Sequence, residues 1–214
     1  MTVTTVLVMV LIWHNKTMTE NIKIFNRTAI RRNRDRAAKN LRSHDFLFVE
    51  SAERLTDRLR DFPRSFPLAL DLGCHGGELA RCLAGRDKIK TLIQTDFSPS
   101  MAQLAATQQE PAVVCDEEAL PFVESKFDLV LSNLSLHWVN DLPGTFIQIR
   151  RALKPDGLFM AALLGGRTLN ELRTALYLAE SELEGGLSPR VSPLIDVRDL
   201  GNLMTRAGFA LPWP

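Results

Sequence analysis

The sequence predicts an α/β protein with a doubly wound parallel sheet, and three observations carry the prediction. Short apolar runs suited to buried strands alternate with helical segments from residue 63 onward. The first run, Leu68-Ala69-Leu70-Asp71-Leu72, passes directly into the glycine-rich turn Gly73-Cys74-His75-Gly76-Gly77. No internal repeat or low-complexity linker interrupts the alternation, and crossovers between parallel strands of one sheet are right-handed.

Taken in order, the chain begins with an apolar run, Val3 to Trp13, too short to span a bilayer. It lacks the flanks of a secretory signal and the arginines of a mitochondrial presequence. Residues 1–17 are read as an over-called start, with Met18 as the natural first residue. Residues 18–62 form a basic, helical N-terminal region. Lys23 to Arg42 carries Arg27, Arg31, Arg32, Arg34, Arg36, Lys39 and Arg42 against the single acid Asp35. Such a run is a solvated helix face or, more sharply, a lid or docking arm for an acidic partner. Asp45 to Phe62 follows as an amphipathic helix with Phe48, Val49, Ala52, Leu55 and Leu59 at helical spacing, stopped by Pro63.

Residues 63–214 form the α/β domain. Pro67 marks entry to strand one, and a helix opens at Gly77-Glu78. Residues 91–96 make strand two, and Ser98-Pro99 is an N-cap with proline at the first helical position. Strand three is residues 112–115 and strand four 127–133. A helix from about 142 to 153 is ended by Pro155-Asp156-Gly157, and strand five is residues 158–163. A helix over 168–183 and another capped by Asp196 and closed by Gly208 follow. Phe209-Ala210-Leu211 reads as the opening of a further strand.

Composition narrows the function. A net charge of +1 over 214 residues argues against a dedicated nucleic-acid binder. Cys74, Cys82 and Cys115 have neither Cys-x-x-Cys spacing nor histidine partners, so they read as small buried residues of a reducing compartment. His14, His44, His75 and His137 form no metal-ligand pattern. No segment is long enough to be transmembrane.

The strand–turn–helix at residues 68–80 is where an open α/β sheet binds a nucleotide-like ligand. A dinucleotide fingerprint wants Gly-x-Gly-x-x-Gly, and glycines at 73, 76 and 77 do not supply it. This spacing disfavours a nicotinamide-dependent dehydrogenase. Asp71, Gly73 and Gly77 instead match Asp-x-Gly-x-Gly-x-Gly, with His75 at the middle glycine. A β-carbon there faces the positive φ that glycine adopts freely, and Gly76 offers a one-residue shift of the turn. Asp96 ends strand two roughly 20 residues beyond the turn, where an acid accepts hydrogen bonds from ribose hydroxyls.

With Asp116-Glu117-Glu118-Ala119-Leu120-Pro121-Phe122, Phe127-Asp128-Leu129-Val130 and Leu153-Lys154-Pro155-Asp156-Gly157-Leu158-Phe159, the chain resembles class I S-adenosylmethionine-dependent methyltransferases, which have a Rossmann-like sheet. Ser132-Asn133-Leu134-Ser135-Leu136-His137-Trp138-Val139-Asn140-Asp141-Leu142-Pro143 is similar to two branches. These are the malonyl-carrier-protein O-methyltransferases of biotin synthesis and, closer, the mitochondrial complex I assembly factor 5 family. Gly165 to Arg173 and Glu184 to Pro189 continue the second pattern, and the likeness runs from about Ile24 to Phe209.

The resemblance implies S-adenosylmethionine as cofactor. Asp71, Gly73 and Gly77 would hold its amino-acid end, Asp96 its ribose and Asp116 its adenine, with Cys74, Phe97, Glu117 and Asn133 as further cofactor-binding residues. His137 would stand near the acceptor as a base or orienting group, or else pack as a loop histidine behind Trp138. Arg167, Arg173 and Arg190 could clamp an acidic acceptor, though each alone reads as a solvated surface residue. The implied function is methyl transfer to a small molecule or protein. The alternatives are an assembly factor or arginine hydroxylase acting on a respiratory complex I subunit, and a malonyl-carrier-protein O-methyltransferase. The expected location is the cytoplasm if the chain is bacterial and the matrix side if mitochondrial. The resembled fold has seven strands, so the last two are expected to be missing, leaving strand five as a bare edge.

Overall fold

In the strand Phe66–Leu72 (β1), side chains alternate between two cores, as a central strand of a covered sheet requires. Leu70 and Leu72 face a cluster that includes Phe127, Val130, Phe146, Ile149 and Phe159. Ala69 faces the opposite cluster, with Leu55, Leu79, Leu92, Leu129 and Met160. The computed structural model describes residues 23–85, 87–108, 110–186, 188 and 190–210. The apolar leader and Leu211 lie outside these residues.

Among the described residues, four further strands join β1: Ile89–Asp96 (β2), Ala112–Val114 (β3), Phe127–Asn133 (β4) and Leu153–Ala162 (β5). Every pairing is parallel, in the order β3-β2-β1-β4-β5. The order reverses direction between β1 and β4, so a crevice opens beyond the carboxyl ends of those strands.

Helices cover both faces. Phe46–Arg58 (α2) and Glu78–Leu83 (α3) pack against one another, with Ala52 and Leu55 of α2 in the Leu129 cluster. Leu142–Ala152 (α5) and Val197–Arg206 (α7) cover the other face through Phe146, Ile149, Leu200 and Met204. Pro99–Ala105 (α4) lies along β2 and β3 and is capped as expected, Ser98 accepting from the Met101 N–H. Arg27–Ala37 (α1) leans on α4, and Asn170–Leu183 (α6) follows β5 with most of its surface exposed.

Two features depart most from the sequence reading. β5 begins at Leu153 and runs through Pro155-Asp156-Gly157, which had read as a helix stop. Leu153 pairs with Phe127, and a bulge between Phe127 and Leu129 absorbs the irregular stretch. Lys154 and the Leu68 N–H share the Asp128 carboxylate, at 2.8 and 2.9 Å, which anchors this segment. The C-terminal Phe209-Ala210 is not strand where it is described; Phe209 packs its ring against Phe146 and Phe159 instead.

Candidate active site

The turn after β1 is held from below. The Thr95 carbonyl accepts from the Gly73 and Cys74 N–H groups, both at 2.8 Å. Gly73 takes φ +78, and a β-carbon there would overlap the Ser135 hydroxyl. Gly77 takes φ +82 as N-cap of α3, with its pro-β position 3.3 Å from the Ala105 backbone. Both positions require glycine.

His75 does not escape its strained position through a shift at Gly76: it adopts φ +48 itself. Three contacts hold it there. Its N–H donates to Asp96 at 3.1 Å, its Nε2 donates to the Asn133 carbonyl at 3.1 Å, and its ring lies 4.5 Å from that of Phe48. Burial, with the Arg34 charge added, pushes its pKa down to about 3, so the imidazole is neutral.

Acids converge on the crevice. Asp71 is fully buried, and neither carboxylate oxygen has a hydrogen-bond partner. Burial, then repulsion from Glu78 and Asp96, drives its pKa well above the usual carboxylate range. Asp96 accepts from the Ser98 N–H at 2.7 Å and from Arg34 at 3.3 Å, yet burial still raises it to about 6. Glu117, equally buried, goes the other way. Burial opposes its ionisation, but Arg34 and Arg27 together outweigh it and hold the carboxyl at about 2. Arg34 reaches Glu117 at 2.9 Å and Ser135 Oγ at 3.0 Å, and Ser135 donates to Glu117 at 2.8 Å. Arg27 lies 2.5 Å from both Asp116 and Glu117, its guanidinium 4.3 Å over the Phe97 ring.

The loop after β4 completes the site. His137 sits in a short 3-10 turn, Leu136–Trp138, with a buried and unpartnered Nδ1. Burial and Arg34 lower its pKa to about 4. Asn133 donates to the Phe48 carbonyl at 2.9 Å and leaves its Oδ1 buried without a partner. Cys74 is buried within the turn.

Asp96, Phe97, Asp116 and Glu117 are thus drawn together by Arg27 and Arg34, and α1 departs from its solvated-face reading. Arg31, Arg32 and Arg36 are exposed, whereas Arg34 is buried and Arg27 half-buried against the acids. The basic run and the motif after β4 do not by themselves assign Arg27, Arg34 and Ser135 to this crevice. The available signal was the seven-residue spacing of the two arginines, which puts them on one helix face. Arg173 and Arg190 form no clamp, since Arg173 bonds the Gly166 carbonyl and Asn170, and Arg190 pairs with Glu180. Arg167 is exposed. Among the described residues, no group of three or more His, Cys, Asp or Glu could hold a metal ion. None of the helices there is long and apolar enough to cross a membrane.

Asp71 Oδ1 and Oδ2, Asn133 Oδ1 and His137 Nδ1 are buried without a partner. Such groups call for a ligand, since an unsatisfied buried polar atom costs about 1–3 kcal/mol. A set dominated by acceptors suits a cationic, hydroxyl-bearing molecule, and S-adenosylmethionine fits it through its ammonium, sulfonium and ribose hydroxyls.

Comparison with known proteins agrees. A family model described as a methyltransferase domain matches residues 70–161. The chain is 47% identical over 201 residues to the mitochondrial arginine-hydroxylase NDUFAF5 of Danio rerio, covering 92% of this chain and 62% of that protein. It is 47% identical over 197 residues to the human NDUFAF5, covering 90% and 57%. The chain therefore spans about six-tenths of the length of these curated relatives. The malonyl-[acyl-carrier protein] O-methyltransferase of Methylovorus sp. is 34% identical over 207 residues, covering 91% of this chain and 68% of the relative.

Two solved structures share the fold. The methyltransferase bound to the Trm112 activator of Haloferax volcanii superposes with a TM-score of 0.64 at 22% identity, covering 82% of this chain and 75% of that one. A SAM-dependent methyltransferase of Thermotoga maritima gives 0.63 at 20%, covering 83% and 80%. Motif order, sheet topology, the crevice at the β1–β4 switch and these relatives agree: the chain belongs to the class I S-adenosylmethionine-dependent methyltransferases, in the branch that holds NDUFAF5 and the malonyl-carrier-protein O-methyltransferases.

Proposed function

We propose that this chain is an S-adenosylmethionine-dependent methyltransferase acting on a small-molecule or protein acceptor. The observation that carries the reading is Asp71, a buried carboxylate with no partner, at the head of the glycine turn on the sheet's switch point. Asp71, Gly73, Cys74 and Gly77 hold the cofactor's amino-acid end. Asp96 and Phe97 receive the ribose side, Asp116 and Glu117 the adenine side, and Asn133 borders the crevice from the end of β4. When bound, the cofactor supplies a methyl group activated on a sulfonium.

The protein's own work is alignment and exclusion of water, because positive charge disappears along a direct displacement. His137 is kept neutral by burial and by Arg34, so it can accept a proton from an acceptor nucleophile at Nδ1, its unpartnered nitrogen. Trp138, edge-on to Phe25 at 5.6 Å, has its ring 5.3 Å from the His137 imidazole. The chain works in the cytoplasm if bacterial and on the matrix side if mitochondrial.

A second reading is favoured by the 47% identity to NDUFAF5: arginine hydroxylation or assembly work on a respiratory complex I subunit. The exposed Arg31, Arg32 and Arg36 would then dock that partner. The test is transfer of label from methyl-labelled S-adenosylmethionine to a malonyl-loaded carrier protein and to arginine-containing subunit peptides. Methylated product that falls about 100-fold in H137A, with cofactor affinity unchanged, supports methyl transfer and His137 as base. An arginine oxygenated when dioxygen and a reductant are also supplied, with no methyl product, supports the second reading.

A further inference from the structure

We propose that α1 is an arginine latch that competes with the cofactor for the acids of the crevice. The inference rests on the cofactor reading above and adds regulation of the same site.

Arg27 and Arg34 stand seven residues apart, two helical turns, and so project from one face of α1. Between them they take up the acids assigned to the ribose and adenine sides. Arg34 donates to both Asp96, at 3.3 Å, and Glu117, at 2.9 Å. Arg27 bridges Asp116 and Glu117 and caps the face of Phe97. A ribose or adenine that uses these same groups has to displace the guanidiniums. Asp71 lies outside the latch and stays without a partner.

The rest of α1 is held in a way that permits release. Arg34 is its one buried residue, and its packing is against α4 alone among the larger element contacts. The remaining ties are polar or peripheral. Asp35 accepts from Ser98 Oγ at 2.5 Å and from the Ser100 N–H at 3.2 Å. Phe25 exchanges hydrogen bonds with the Asn140 side chain, at 2.7 and 3.1 Å. With little buried apolar area, α1 is held chiefly by these ion pairs, so a ligand that takes over the acids is what releases it. A cofactor that binds only the open form therefore binds with its affinity reduced by the fraction of open molecules.

The test uses the full chain and S-adenosylhomocysteine as probe. Calorimetry on wild type and the R27Q/R34Q variant is expected to show about tenfold or greater tightening in the variant. R27Q alone leaves Arg34 on Glu117, guards against loss of the fold, and is expected to tighten binding by less. In wild type, the probe is expected to speed tryptic cleavage after Arg31 and Arg32 as α1 lifts. Equal or weaker binding by the variant, or tryptic protection of α1 by the probe, overturns the latch while leaving the cofactor reading standing. No binding by any of the folded chains overturns the cofactor reading and the latch with it.

Discussion

Arg34 and Glu117 form a buried ion pair, Nη1 to Oε1 at 2.9 Å, joining the N-terminal helix to the segment after β3 across 83 residues of sequence. Both charges are out of water, so each depends on the other. Removing Arg34 strands Glu117 with Arg27 and Ser135 as its remaining partners.

Arg34→Ala is expected to cost about 2 kcal/mol at pH 7, less than a typical broken buried pair because Arg27 stays in place. Glu117 is held at about 2, below its ordinary value, so its contribution is present above about pH 4.5 and is lost as pH falls toward 2. The gap between wild type and variant should therefore narrow over that acid window. Urea unfolding at a series of pH values measures it.

Asp71→Asn tests the unpaired carboxylate. At pH 8 the variant is expected to be more stable than wild type by about 1–2 kcal/mol, because a buried group that resists ionisation is replaced by a neutral one. It should also bind S-adenosylhomocysteine at least about tenfold more weakly. Unfolding and calorimetry on the same preparation separate the two effects.

Glu78 supplies a pH signature of its own. Burial raises its pKa to about 7, while its carboxylate accepts from the Gly76 N–H at 3.1 Å. A raised folded-state pKa contributes stability that is full below about pH 4.5 and is lost as pH rises through about 7. E78Q keeps an acceptor for Gly76 and should match wild type at pH 4.5 yet exceed it by about 2 kcal/mol at pH 8. Thermal unfolding at the two pH values decides it.

His75 sits at φ +48, where glycine alone is unstrained. H75A and H75G both lose the imidazole contacts with Phe48 and Asn133, but only glycine relaxes the backbone. H75G should be more stable than H75A by about 1 kcal/mol in denaturant titrations.

Elements set by short-range pattern were legible in the sequence. Leu70 and Leu72 mark the central strand, Ser98-Pro99 marks the start of α4, and Asp196 caps α7. The start of β5 was not legible, because Pro155 and Gly157 look like breakers unless the bulge opposite them is known. The acids of the crevice were legible from motif spacing. Their partners were not: Arg34 meets Asp96 and Glu117 at separations of 62 and 83 residues, beyond any local charge pattern. His75 was recognised as out of place, but the Phe48, Asn133 and Asp96 contacts that hold it strained come from three separate elements.

The most direct measurement is calorimetric titration of the 214-residue chain with S-adenosylhomocysteine. The crevice of Asp71, Asp96, Asp116 and Glu117 predicts binding in the micromolar range, about −8 kcal/mol, abolished or weakened at least about tenfold by Asp96→Ala. A folded chain that takes up no ligand, or an Asp96→Ala variant that binds as well as wild type, would contradict it.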